Sequence, residues 1–400
     1  MSRALANRTK CLSESKTLVI TATANRMRAE GVDVINLSVG EPDFPTPEPI
    51  KAAGQAAIEN NFTRYTAAQG IIELREAIVA KLKNDNQLTY DPSQIVVTSG
   101  AKHALTGSLL AAVNPGDEVL YPVPGWLSYP EMIRIAEGEP IPYHCKGENN
   151  FRPDLDELRR LITPKTKAII VNNPSNPTGA AYTPDEIREI GAVLAEHDIW
   201  VISDEIYEKL RYDGKSHLSF AQVDGLFEKT VVINGVSKAF AMTGWRIGYL
   251  AAAPELVKAV TKLQSQMTSS CCSISQKAAS EAMRNGEDAN MRTMIEAFSR
   301  RRDMVVDALN QIDGVHCPTP DGAFYAFPDV SAFLGKTVNG HTIANDIDLC
   351  QWLLEVKHMA LVPGAAFGAE GFIRISFAAS DKDLQTGLQR LKDGLEELRG

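Results

Sequence analysis

Lys238 stands in the stretch Asn234-Gly235-Val236-Ser237-Lys238-Ala239-Phe240-Ala241-Met242-Thr243-Gly244-Trp245-Arg246, just past the apolar run Thr230-Val231-Val232-Ile233. A lysine amine attacks carbonyl carbon and forms a Schiff base once burial or neighbouring cations lower its pKa. Arg246, eight residues on, brings a guanidinium fork of the kind that grips phosphate oxygens, and Ser237 adds a hydroxyl. Amine, hydroxyl and arginine together suit an aldehyde that also carries a phosphate. A strand followed by a polar loop with a solvated lysine accounts for each residue, but not for their grouping.

Other residues could complete such a site. Asp204 closes the apolar run Ile199-Trp200-Val201-Ile202-Ser203, and Tyr207 follows three residues later. At the carboxyl end of a parallel strand they would face the crevice where open α/β sheets bind ligands; Asp204 is equally suited to capping a following helix. Asn172-Asn173-Pro174-Ser175-Asn176-Pro177-Thr178-Gly179 has the composition of a Pro/Gly loop. Ser99-Gly100-Ala101-Lys102 lies between a strand and a helix, where backbone amides and the helix dipole bind phosphate without a side chain. Trp126, in Gly125-Trp126-Leu127-Ser128-Tyr129, offers an indole to a planar ligand or to the core. Arg374, flanked by Phe372, Ile373, Ile375 and Phe377, needs a partner because an unpaired buried charge is costly. A substrate carboxylate or a structural ion pair would supply one.

The elements that must position these residues alternate along the chain. Ile95–Thr98, Glu118–Tyr121, Lys167–Val171, Ile199–Ser203 and Val231–Ile233 read as buried strands. Their continuous apolar character is what a parallel sheet covered on both faces requires. Amphipathic segments such as Lys102–Val113 and Pro184–Glu196 lie between them, and Asn114-Pro115-Gly116-Asp117 stops the first. The alternation predicts an α/β doubly wound core. The last hundred residues read as α+β: a long helix over Glu296–Leu309, then Gly322–Phe327 and Gly371–Phe377 as alternating strands of a half-exposed antiparallel sheet. No internal repeat or low-complexity linker is visible.

Composition limits the function classes. The 400 residues carry 41 Lys and Arg against 50 Asp and Glu, a net charge of −9. That balance argues against a nucleic-acid surface, which needs a basic patch. With 44% hydrophobic and 23% charged residues the chain reads as globular. No apolar run approaches the roughly 18 residues of a membrane span. Six irregularly spaced cysteines, with Cys271 and Cys272 adjacent, suit neither a disulfide framework nor a metal site. A reducing, cytoplasmic setting is expected, with no metal. The acid-free first ten residues lack a following apolar stretch, so they do not read as a secretory signal.

The Lys238 segment, with Asn176-Pro177-Thr178-Gly179, Asp204 and Arg374, resembles the class I/II (fold type I) pyridoxal-phosphate aminotransferases, and the likeness runs from Gly40 to Arg374. It is nearest in pattern to the Iγ subgroup of aspartate and prephenate aminotransferases. The resemblance implies a large cofactor-binding domain over 48–290, with a mostly parallel sheet, and a smaller α+β domain of 1–47 plus 291–400. It implies that Lys238 binds pyridoxal 5'-phosphate and moves the substrate proton, with Asp204 on the pyridinium nitrogen. Tyr207 and Asn176 would donate to the ring hydroxylate, and Trp126 would stack on the ring. Gly100, Ala101 and Lys102, with Ser237 and Arg246, would hold the phosphate, and Tyr65 would reach the phosphate of the other subunit of a homodimer. Arg374 and Gly40 would hold the substrate α-carboxylate beside Asn176 and Trp126, with Lys102, Ser15 and Thr17 at a distal carboxylate. The peptide Asn176-Pro177 would be cis.

The implied reaction is ping-pong transamination, first of aspartate with 2-oxoglutarate, with prephenate as a further acceptor. Alanine or aromatic amino acids become the substrates if Lys102 points away. Elimination on the same scaffold, or a ligand-sensing module, are the other readings. Two departures stand out: Gly100-Ala101-Lys102 replaces the usual Gly-Gly-Lys, and Gly235 occupies the first position of a Ser-x-Ser-Lys pattern. The second removes one hydroxyl from the phosphate and shifts its retention toward Arg246.

Overall fold

A computed structural model describes residues 5–12, 16–286 and 288–399. Its main feature is an eight-stranded sheet. The strands lie in the order Ile95–Thr98, Gly248–Ala251, Thr230–Gly235, Trp200–Asp204, Thr166–Asn172, Glu118–Val123, Glu139–Lys146 and Arg152–Pro153. The five expected strands are all present. From Thr230–Gly235 to Glu139–Lys146 the pairing is parallel, while Gly248–Ala251 runs antiparallel to both its neighbours. Every residue of Ile95–Thr98, Thr230–Gly235 and Gly248–Ala251 is buried, as the continuous apolar runs require.

Local signals place the covering helices. The helix Pro184–Ala195 opens with a reciprocal cap between Thr183 and Glu186 and with proline in its first turn. The helix Ala101–Ala112 starts at Gly100, whose φ of 82° suits glycine alone among common residues. Its first residue, Ala101, is not among the positive-φ positions, so alanine is unstrained there. Asp204 is not a helix cap: a turn, not a helix, follows it through Lys209.

The C-terminal third builds a second apolar core. Phe298, Val305 and Leu309 from the helix Ala289–Asn310 meet Leu384, Leu388 and Leu391 from the helix Asp381–Arg399. Between them and the main body runs a three-stranded antiparallel sheet of Tyr325–Ala326, Ile373–Ser376 and Val362–Pro363. The expectation of a half-exposed sheet needs correction, because every residue in these strands is buried. The alternation is real, but its polar positions Arg374 and Tyr325 line a cavity rather than an outer surface. The N-terminal segment joins this part through Ile35–Asn36, paired in parallel with Met359–Ala360. Ser376 N donating to Leu37 O at 2.8 Å then delivers Ser38-Val39-Gly40 to the cavity.

Candidate active site

A cavity of about 380 Å³ opens where Thr166–Asn172, Trp200–Asp204 and Thr230–Gly235 end at their carboxyl termini. This is the position at which open α/β sheets bind ligands. It is lined by Gly40, Ala101, Lys102, Trp126, Asn176, Asp204, Tyr207, Ser237, Lys238, Arg246 and Arg374, all singled out from the sequence. The chain brings them together from positions up to 334 residues apart (40 to 374).

Lys238 Nζ donates to Gly40 O at 2.6 Å and lies 5.9 Å and 5.8 Å from the ring centres of Tyr207 and Phe324. Burial, with the nearby cations Arg374 and Arg246, brings its pKa down to about 8, against the pull of Glu41 and Asp204. A lysine so placed is a usable nucleophile near neutrality.

Asp204 is held opposite. Its Oδ2 accepts from Tyr129 Oη at 2.7 Å and its Oδ1 from Ile206 N at 3.3 Å. Burial raises the carboxyl to about 6, and the adjacent Glu205 charge adds to the rise. Asn172 links this strand end to the loop, donating Nδ2 to Asp204 O at 3.0 Å and accepting Asn176 N at 2.9 Å on Oδ1. The Asn176–Pro177 peptide is cis, as are Val123–Pro124 and Asn173–Pro174. The Tyr207 hydroxyl meets that of Tyr325 at 2.9 Å.

Arg374 donates Nη1 to Asn176 Oδ1 at 3.0 Å and Nη2 to Ser38 O at 2.6 Å. Both acceptors are neutral, so the structural ion pair is not what holds this buried arginine. Its guanidinium lies 4.5 Å from the Tyr325 ring centre and 5.1 Å from that of Phe367, and Nε has no hydrogen-bond partner. A buried cation satisfied only by neutral groups is prepared for an anion.

On the far side, glycines let the backbone close around Arg246. A Cβ on Gly100 would lie 2.4 Å from Arg246 Nη2, and one on Gly248 would lie 2.3 Å from Ala101 N. Gly235 pairs with Gly248, and a Cβ there would sit 2.8 Å from the Gly248 Cα. Serine at position 235 would therefore force the paired strand to shift, in keeping with glycine there. Arg246, at φ 56°, donates Nη1 to Thr243 O at 2.8 Å.

Lys102 is exposed on its helix yet also lines the cavity. Its Nζ donates to Ser128 Oγ at 3.1 Å and lies 4.6 Å from the Trp126 ring centre. Burial, and then Arg246, lower its pKa. Gly100 does not itself line the cavity, and Tyr65 lies outside it, 93% exposed. Ser15 and the Thr17 side chain fall outside the described residues. Tyr129, Tyr325, Asn172, Ser38 and Glu41 belong to the site without having been picked out. Of these, Asn172 carried a signal, since it follows the apolar run that ends at Val171.

The sequence profile of the family described as aminotransferase class I and II matches residues 32–391. The chain belongs to this aminotransferase family. An aspartate/prephenate aminotransferase of Cereibacter sphaeroides is 46% identical over 381 residues, 94% of this chain and 95% of its own. An aspartate aminotransferase of Rhizobium meliloti is 44% identical over 396 residues, covering 98% and 96%. Among solved structures, the aspartate aminotransferase from Rhizobium meliloti superposes with a TM-score of 0.95 at 43% identity, covering 99% of this chain and all (100%) of that one. The aspartate aminotransferase from Thermus thermophilus with maleate gives 0.93 at 39% identity, covering 98% and 100%. The protein is thus an aminotransferase enzyme with the α/β fold of that family, acting on amino and oxo acids. Among its described residues, no helix is long and apolar enough to cross a membrane.

Proposed function

We propose that this aminotransferase exchanges the amino group of aspartate with 2-oxoglutarate, and that prephenate serves as a further acceptor. The observation that carries the reading is one cavity holding both the Lys238 amine and a buried Arg374 whose acceptors are neutral. Lys102, turned into that cavity, supplies a second cation for a dicarboxylate. Relatives named for aspartate and prephenate, and the Thermus structure with maleate, support that choice.

The residues fit pyridoxal phosphate. Gly100, Ala101, Ser237 and Arg246 would hold its phosphate, Asp204 its ring nitrogen, Tyr207 and Asn176 its ring oxygen, and Trp126 one ring face. When bound, that group supplies an aldehyde and a ring that draws electrons from the substrate α-carbon. Lys238 Nζ would hold the group's aldehyde carbon and, as a free amine, would accept the α-proton and pass it to that carbon rather than restore it to the substrate. Arg374 and the Gly40 backbone orient the α-carboxylate so that this proton faces Lys238.

The exposed Tyr65 belongs, on this reading, to the site of a second copy, making the enzyme a homodimer. We assign 48–290 to a cofactor domain, 1–47 plus 291–400 to a smaller domain, and the protein to the cytoplasm. Oxaloacetate formation from aspartate and 2-oxoglutarate tests the reaction, with alanine as the alternative donor. Lys102→Met should raise KM for aspartate at least tenfold and leave alanine little changed, since a lost charged hydrogen bond is worth roughly 1.5–3 kcal/mol. Equal effects on both donors would remove Lys102 from the substrate site.

A further inference from the structure

The turn that carries Asp204 and Tyr207 to the cavity sends two carboxylates the other way. Glu205 and Glu208 are both buried, and neither lines the cavity. Glu205 Oε1 accepts from Ser203 Oγ at 2.8 Å and from Ser219 Oγ at 2.6 Å, and its Oε2 meets His217 Nε2 at 3.0 Å. Glu208 pairs with the buried Lys81 ammonium and accepts from Asn86 Nδ2 at 3.0 Å. The backbone locks the same turn: Glu205 N donates to Ile233 O at 2.8 Å, and Glu208 N to Glu205 O at 2.9 Å.

Apolar side chains could close such a turn at less cost, because each buried carboxylate gives up hydration that its partners must replace. Glu205, Glu208 and His217 place ligand atoms within 4.8 Å of one another, a spacing a cation could use. The Lys81 ammonium, however, already sits on Glu208. Against the upward effect of burial, Lys81 and His217 hold the Glu208 carboxyl at about 2. What the arrangement provides is direction. Glu205 is bonded on both oxygens to groups in the strand and the following loop, which fixes the backbone on which Asp204 stands.

We propose that Glu205 is a positioning residue for the reaction: anchored behind the sheet by Ser203, Ser219 and His217, it holds Asp204 in the orientation that grips a basic ring nitrogen. Glu208 and Lys81 brace the turn beside it. The inference rests on Asp204 facing the ring nitrogen of the cofactor.

The test compares dissociation constants of the cofactor-free protein for pyridoxal phosphate and for its carbocyclic analogue, in which carbon replaces the ring nitrogen. The ratio reports the grip of Asp204, and Asp204→Ala should abolish the parent's preference for the natural form. Glu205→Gln keeps the side-chain volume and an oxygen for the serines. It should lower the preference about tenfold, the scale of one charge-assisted hydrogen bond, with the analogue's affinity unchanged. A Glu205→Gln protein with a lower unfolding midpoint but the parent's ratio overturns the proposal and leaves the reading of Asp204 standing. An unchanged ratio in Asp204→Ala overturns both. If Glu205→Gln fails to fold, Ser219→Ala removes one anchor and keeps the charge; its ratio should fall severalfold, because one of the hydrogen bonds that hold the carboxylate is lost. A parent-like ratio there refutes the role of Glu205.

Discussion

Replacing Asp204 by asparagine should make the cofactor-free protein more stable at neutral pH while destroying its function. Burial raises the Asp204 carboxyl from 3.8 to about 6. The folded protein therefore binds a proton that the unfolded chain has released across that interval, and stability falls as pH rises from the lower value through the upper one. Linkage puts the cost at about 1.5 kcal/mol near pH 5 and about 3 kcal/mol near pH 7, at roughly 1.4 kcal/mol per unit. Asparagine has no charge to desolvate, and its carbonyl can still accept from Tyr129. The Asp204→Asn advantage should grow by about 1.4 kcal/mol between pH 5 and pH 7. Urea denaturation of both cofactor-free proteins at the two pH values measures it. An advantage that is constant with pH, or that shrinks as pH rises, would refute the argument that this carboxylate is held against a desolvation cost.

Capture of pyridoxal phosphate by the cofactor-free protein should speed up as pH rises to about 8, where the Lys238 amine loses its proton, and then level off; stopped-flow rates that keep climbing toward pH 10 would mean that the amine is ordinary. Arg374→Lys should raise KM for the amino donor at least a hundredfold, because a single ammonium loses the fork, with the unfolding midpoint as the control. Lys81→Met should destabilise the fold by about 3–5 kcal/mol by leaving Glu208 uncompensated, and adding Glu208→Gln should recover most of it. Glu208 itself stabilises the protein above its unfolded value of 4.5, and that stability is lost as pH falls toward 2. Mixing Tyr65→Ala with Lys238→Ala subunits should regenerate activity, since a hybrid dimer pairs one intact Lys238 with its partner's intact tyrosine; no recovery after subunit exchange would take Tyr65 out of the shared site.

Much of the site was legible because its chemistry sits at strand ends. Asp204, Asn172 and Lys238 each follow an apolar run whose end marks the crevice, and Arg374 stood out as a charge among aromatics. What the pattern hid was contact across the fold. Nothing local in Tyr129 announces its bond to Asp204, 75 residues away. The strand Gly248–Ala251 lacks β-branched residues, and its glycine serves the close approach to Ala101 rather than strand formation. Glu139–Lys146 carries two prolines, tolerated where only the two-residue strand Arg152–Pro153 lies outside it. The last sheet alternates as a half-exposed sheet would, but its polar face closes a cavity, which a local pattern cannot distinguish from open solvent.

The visible spectrum of the pyridoxal-phosphate-loaded enzyme, before and after L-aspartate is added with no acceptor, decides whether aspartate gives up its amino group at this site. The band of the bound aldehyde form should be replaced by the shorter-wavelength pyridoxamine band, with one oxaloacetate released per site. A band that ignores aspartate, or aspartate consumed without oxaloacetate, would contradict the proposed transamination.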